Sequence, residues 1–167
     1  MHISEGVLSG PVLAAGAAAA FVGTGIGLKQ IDYERIVHVA ILASAFFVAS
    51  LIHVNIGPAS AHLILNGMLG VMLGLAAFPA ILTALILQAV LVGYGGLTVL
   101  GVNLVIMAVP AVLAHYLFLA MAGPGRRSHF WGGFAAGLLG VMLSCLLLGA
   151  VLWLTDENFI ETCMAIV

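Results

Sequence analysis

Long apolar runs divided by short polar breaks make up this chain. The charged residues fall at Glu5, then at Lys29, Asp32, Glu34 and Arg35, then at Arg126 and Arg127, and last at Asp156, Glu157 and Glu161. None lies between Ile36 and Gly125. A helix needs about 20 apolar residues, with a range of roughly 17–25, to cross the hydrocarbon of a bilayer. By that measure the breaks predict six spans: Pro11–Leu28, Ile36–His53, His62–Phe78, Pro79–Val92, Asn103–Ala122 and Phe130–Leu154. The polar stretch Lys29–Arg35 parts the first two. Val54–Ala61, with Asn55, Gly57, Pro58 and Ser60, reads as a loop, and Pro79 suits the first turn of a helix. Gly93–Gly101, with glycines at 93, 95, 96 and 101, reads as a turn or a re-entrant piece. The third and fourth spans are short for two crossings, and a single bent insertion is the alternative.

Composition fixes the class. Of 167 residues 64% are hydrophobic and 6% charged, against about 25% charged in an ordinary soluble domain, and the mean hydropathy is +1.31. A soluble surface cannot be built from the uncharged middle of so short a chain. A soluble enzyme, a disordered segment and a nucleic-acid binder are excluded on that ground. The expectation is an all-α, polytopic transmembrane bundle, one domain over residues 1–167, multi-pass in the inner (cytoplasmic) membrane. The formal net charge of -2 points to no partner. Met-His-Ile-Ser-Glu-Gly has no basic n-region, so the apolar run after it does not read as a cleaved leader, and the chain is expected to keep its own N-terminus. Cys145 lies in an apolar run and reads as packing; Cys145 and Cys163 make no staple pattern.

Charge placement then orients the bundle. With two crossings in Ile56–Gly101, Lys29, Arg35, Arg126 and Arg127 share one side, which the positive-inside rule makes cytoplasmic. The N-terminus, the stretches Val54–Ala61 and Gly93–Gly101, and the acidic tail are then outside. Trp131 and Trp153 fall near the two ends of the last span, as interfacial anchors do. Gly70 with Gly74, and Gly133 with Gly137, are candidates for close helix approach. The run Ala14–Ala20 offers a smooth face to this chain or to a partner subunit.

In this topology Met1, His2, His53, Asn55, Ser60, His62, Asn66, Tyr94, Thr98 and Asn103 gather toward the outer face. Polar groups in a membrane domain are costly and mark substrate paths. Neutral donors with histidines suit a soft-to-borderline cation better than sodium or a proton. A histidine in second place can offer three nitrogens in fused chelate rings: the Met1 α-amine, the His2 amide and the His2 imidazole. A fourth nitrogen from elsewhere completes a plane that suits Ni²⁺ or Cu²⁺ and, when adapted, Co²⁺. His62 is the best fourth donor, with Asn66 one helical turn further on the same face. His53 competes for that role, or is an interfacial histidine bonded to a loop. His38 and His115 read as helix-contact residues and His129 as a surface residue.

Three stretches carry a likeness to a known family: Met1-His-Ile-Ser-Glu-Gly, Gly57-Pro-Ala-Ser-Ala-His62, and Gln88 followed by Gly95-Gly-Leu-Thr-Val-Leu-Gly-Val-Asn103. Over most of residues 1–154 the chain resembles the cobalt/nickel substrate-binding subunit of energy-coupling-factor importers, the CbiM/NikM group. The resemblance implies that residues 1–10 form an N-terminal metal-binding segment tucked into the membrane domain. It implies that the Met1 amine, His2 and His62 hold Co²⁺ or Ni²⁺ as the transported substrate, without an organic cofactor, and that Gly95–Asn103 lines and closes the site. Ser60, Asn66, Thr98, Asn103 and His53 are the pocket residues on this reading. Implied partners are a transmembrane coupling subunit and cytoplasmic ATPase subunits, often with a small accessory membrane subunit. The chain has no Walker A pattern, so ATP hydrolysis is expected on those partners and the chain itself is not an enzyme. Family members commonly continue for another transmembrane helix, so a C-terminal helix missing after residue 167 is also expected. The motif around His62 leans toward cobalt. Two other classes compete: a structural or assembly subunit that binds no metal, and a membrane metalloenzyme, which the lack of H-E-x-x-H or paired acids disfavours.

Overall fold

The computed structural model describes residues 2–56, 59–62 and 65–155, and at residues 2, 53–56 and 59–62 the backbone alone. Met1, the Gly57-Pro58 pair, the acidic tail with Cys163, and any helix beyond it lie outside the described residues. The order is β1 (His2–Ile3), α1 (Gly10–Leu28), α2 (Ile36–Ser50), β2 (His53–Ile56), β3 (Ala59–His62), α3 (Asn66–Leu73), a 3₁₀ turn (Gly74–Ala76), α4 (Ala77–Leu87), a π turn (Gln88–Val92), α5 (Leu100–Met121) and α6 (Arg126–Thr155). Four apolar helical stretches are long enough to cross a membrane, namely Gly10–Leu28, Asn66–Val92, Leu100–Met121 and Arg126–Thr155, with α2 shorter. In lipid every backbone amide must be satisfied within the protein, which is why apolar runs of this length become helices.

Asn66–Val92 is not one straight rod. Asn66 meets Met107, Gly70 lies against Ala111 and Gly74 against His115, so α3 runs parallel to α5. Past the 3₁₀ turn, Leu75 and Pro79 lie against Gly27, and Phe78 against Gly23, so α4 runs antiparallel to α1. Gly16 in turn lies against Val102, while Gly27 meets the turn whose Gly74 lies against His115, so α1 runs parallel to α5. The chain therefore reverses at Gly74–Ala76. Gly74 takes φ 58 and ψ -127, a conformation that residues with a Cβ rarely adopt. The expected third span, His62–Phe78, is corrected: its helix is the eight-residue α3, and His62 belongs to β3. The expected loop Val54–Ala61 is corrected as well, because it carries β2 and β3.

Gly132 lies against Phe118 and Met121, and Ser144 donates to the Ile106 carbonyl at 3.0 Å, so α6 is antiparallel to α5. Lys29, Arg35, Arg126 and Arg127 consequently sit at one end of the bundle, with β1 and the start of α5 at the other. The buried face of α6 is Gly132, Ala136, Gly140, Ser144, Leu148 and Leu152, a ridge with a step of four residues. Small residues in its first half let α3 approach backbone to backbone, as Gly67 does against Ala136 and Gly137. The expected pair Gly133 and Gly137 is one position off this ridge, and a Cβ added at either would meet open space. The pair Gly70 and Gly74 does meet α5. Cys145 is exposed on the outward side of the ridge, not packed as expected. Trp131 and Trp153 are both exposed near the two ends of α6.

Candidate metal centre

The three strands form one antiparallel sheet in the order β1-β3-β2, which qualifies the all-α expectation without changing the class. His2 is registered with Ser60 and Ile3 with Ala59. His53 is registered with His62, Val54 with Ala61, Asn55 with Ser60 and Ile56 with Ala59. Residues directly opposite in an antiparallel pair share a face, and residues two apart in a strand share it again. One face of the sheet therefore carries positions 2, 53, 55, 60 and 62, all polar in the sequence. The other carries positions 3, 54, 56, 59 and 61, all apolar. Irregular or extended backbone at membrane depth is tolerated only where protein surrounds it, and at Ile3 the surrounding side chains supply that enclosure.

The N-terminal segment is fastened into this sheet by three devices. Ile3 is fully buried among Leu8, Val99, Val102, Ile106, Leu148 and Leu152. Its backbone N–H donates to Asn103 Oδ1 at 2.8 Å, and its carbonyl accepts from Asn103 Nδ2 at 3.1 Å. Asn103 thus gives the edge strand β1 the backbone partner that it would otherwise lack. Further along, Glu5 Oε1 accepts from the Thr98 amide and hydroxyl, both at 3.2 Å. The Glu5 side chain packs over Gly96 (φ 133), where a Cβ would overlap it. Ile3 and Glu5 were not among the expected pocket residues. Their distance from Thr98 and Asn103 in sequence hides the contact, although both stretches stand out as motifs. Replacing Asn103 by Leu should raise hydrogen exchange at the Ile3 amide by roughly 10–100-fold, the effect of losing about 1–3 kcal/mol of local hydrogen bonding. Unchanged protection at that amide would show that Asn103 does not hold β1.

Asn66 is fully buried, and its amide is committed to the neighbouring helices. Nδ2 faces the Met107 carbonyl at 3.4 Å, the Gly140 carbonyl at 3.2 Å and Ser144 Oγ at 2.7 Å. It joins α3 to α5 and α6. Gln88, which opens the π turn and is also fully buried, donates to Ser50 Oγ and ties the end of α4 to the end of α2.

Of the expected ligands, Met1 lies outside the described residues, and so do the side chains of His2, His53, Ser60 and His62. The backbone brings positions 2, 53, 60 and 62 together; Thr98 and Asn103 stand at the segment that carries position 2. Among the described residues no three of His, Cys, Asp or Glu are grouped to hold a metal. His115 Nδ1 stands 3.3 Å from the Val71 carbonyl, joining α3 and α5 as a helix-contact residue. His129 is exposed, with Nδ1 2.9 Å from the Gly125 carbonyl. His38 is exposed at the start of α2, not buried between helices.

Comparison with known proteins gives a consistent answer. The family described as "CbiM: Cobalt uptake substrate-specific transmembrane region" matches residues 2–167. A Haemophilus influenzae protein named for metal transport is 51% identical over 143 residues, covering 84% of this chain and 69% of that protein. The fused nickel transport protein NikMN of Rhodobacter capsulatus is 34% identical over 147 residues, covering 81% of this chain and 42% of that longer protein. The crystal structure of a truncated transition metal transporter superimposes with a TM-score of 0.71 at 28% identity, covering 89% of this chain and 74% of that one. Such subunits are non-catalytic parts of multi-subunit transporters in the inner membrane, with ATP hydrolysis on separate subunits. The chain belongs to the CbiM family, as a multi-pass metal-transport membrane subunit.

Proposed function

We propose that the chain binds Co²⁺ or Ni²⁺ at the end of the bundle remote from its basic residues, through the Met1 amine, His2 and His62, and presents the ion for import. The observation that carries this reading is the sheet register, with position 2 opposite position 60 and position 62 two residues along the same strand. A strand pairing that already brings positions 2 and 62 together lowers the reorganisation that closing on an ion requires. The Asn103 clamp on Ile3 lowers it further. The relatives' names supply the class of ion, since one is named for nickel transport and another, from Halobacterium salinarum, for cobalt transport. The donor set satisfies either metal, and the natural order of affinity favours nickel; availability in the cell decides the cargo. The motif around His62 leans to cobalt.

Position 53 stands opposite position 62 in the register, so His53 is a neighbour of the proposed site. We assign it outside the ligand set. On that assignment His62→Ala should lower affinity for either ion by more than roughly 100-fold, since even outer-shell partners are worth 10–100-fold. His53→Ala should stay within that outer-shell range. Calorimetry on both variants separates them, and a larger loss with His53→Ala would exchange their roles. Neither ion binding the unmodified chain would leave a structural or assembly subunit as the reading.

We further propose six passes with the N-terminus outside, the segment that ends in α3 making the third. The coupling subunit, the ATPases and a small accessory subunit would then dock from the membrane and the basic side. Gly125 precedes Arg126 in a loop, with open space where a Cβ would stand. With Cys145 and Cys163 replaced by Ser, Gly125→Cys should react with a membrane-impermeant thiol reagent only after cells are opened. Labelling in sealed cells would invert the orientation.

A further inference from the structure

The basic end of the bundle holds a cavity for which the metal reading has no use. It has a volume of about 470 Å³, within the roughly 300–1,000 Å³ of small-ligand sites. Gln30, Arg35 and His38 form a polar edge, and Val39, Leu42 and Met72 contribute to an apolar wall. We propose that it binds the phosphate headgroup of an anionic phospholipid, with the upper acyl chain along the apolar wall.

Charge comes first. Asp32 Oδ1 accepts the Arg35 backbone N–H at 2.9 Å, while Oδ2 stands 4.0 Å from Arg35 Nε. That leaves the terminal guanidinium nitrogens for a bidentate phosphate contact. The apolar wall distinguishes lipid from a free anion: Val39 and Leu42 are buried and Met72 is exposed at the mouth, a gradient that an inorganic ion would not exploit. The volume itself comes from the chain reversal. Gly74 and His115 both line the cavity, and a Cβ at Gly74 would stand 3.2 Å from His115 Nε2, so glycine keeps the floor open. Position completes the case. The cavity lies where α1 ends and α2 begins, on the end that bears all four basic residues together with Asp32 and Glu34. On the orientation proposed above this end is cytoplasmic, the side on which basic pockets between helices hold anionic headgroups. The proposal rests on the membrane fold and on the orientation proposed above, and not on the metal site.

The test uses the purified full chain in a neutral detergent. Phosphatidylglycerol should raise the unfolding temperature by about 5 °C near 100 times its Kd. Phosphatidylcholine with the same acyl chains, and inorganic phosphate at the same concentration, should not. Arg35→Gln should remove the shift, and Met72→Trp, which narrows the mouth from an exposed position, should reduce it. Native mass spectrometry should find one phosphatidylglycerol retained per chain and none on Arg35→Gln. Equal shifts with both lipids, or a full shift retained by Arg35→Gln, would overturn the proposal. A full shift with inorganic phosphate would overturn the lipid as its source.

Discussion

Acetylating the Met1 amine, or adding one residue ahead of it, is expected to lower the affinity of the purified chain for Ni²⁺ or Co²⁺ by more than roughly 100-fold. The unperturbed α-amine has a pKa of about 7.7–8.0, so near neutral pH it yields its proton to a metal at little cost. Acetylation converts it to an amide whose nitrogen is a poor donor. Three features argue that the loss would be local. Ile3 keeps its buried position, Asn103 keeps both bonds to the Ile3 backbone, and Glu5 keeps Thr98. The unfolding temperature of the metal-free protein should therefore hardly change. Calorimetry measures the affinity and a thermal scan the fold. Unchanged affinity after acetylation would remove the amine from the ligand set, and loss of affinity together with collapse of the fold would assign the effect to β1 packing.

The second large effect concerns the packing of α3 against α5. Gly70→Ala adds a single methyl group that would overlap the Ala111 carbonyl. Backbone cannot yield as a flexible side chain can, so α3 and α5 must part. The cost should reach about 3 kcal/mol, the upper part of the range for overpacking. Gly133→Ala adds the same methyl where nothing stands within 4 Å. There the gain in helix propensity, up to about 1 kcal/mol, is unopposed, and stability should hold or rise. Chemical unfolding in detergent gives both values. Similar behaviour of the two variants would contradict the packing described for α3, α5 and α6.

The contrast between these glycines shows what a sequence of this kind makes legible. Apolar runs of spanning length mark helices because the bilayer leaves no other solution, and the boundaries of α1, α2, α5 and α6 fall close to the polar breaks. Which face of a helix packs is harder to read when nearly every residue is apolar. The eye finds Gly133 and Gly137, whereas the ridge in use is Gly132, Ala136, Gly140 and Ser144. The sheet is a different case. His53-Val-Asn-Ile and Ala59-Ser-Ala-His62 alternate polar with apolar, the signature of a strand, but Gly57-Pro58 between them is turn chemistry that favours a loop. The ligand candidates were legible as residue types, from His2 and His62. That Asn103 reaches back to Ile3 was not, because nothing in either segment encodes a contact 100 residues away.

The most direct measurement is a metal-bound structure with anomalous diffraction collected at both the cobalt and the nickel edge. The account predicts one strong peak on the face of the sheet that carries positions 2 and 62, bonded to the Met1 amine, to His2 and to His62, with His53 outside the coordination sphere. A peak ligated by His53 in place of His62, or one remote from Met1, would contradict it.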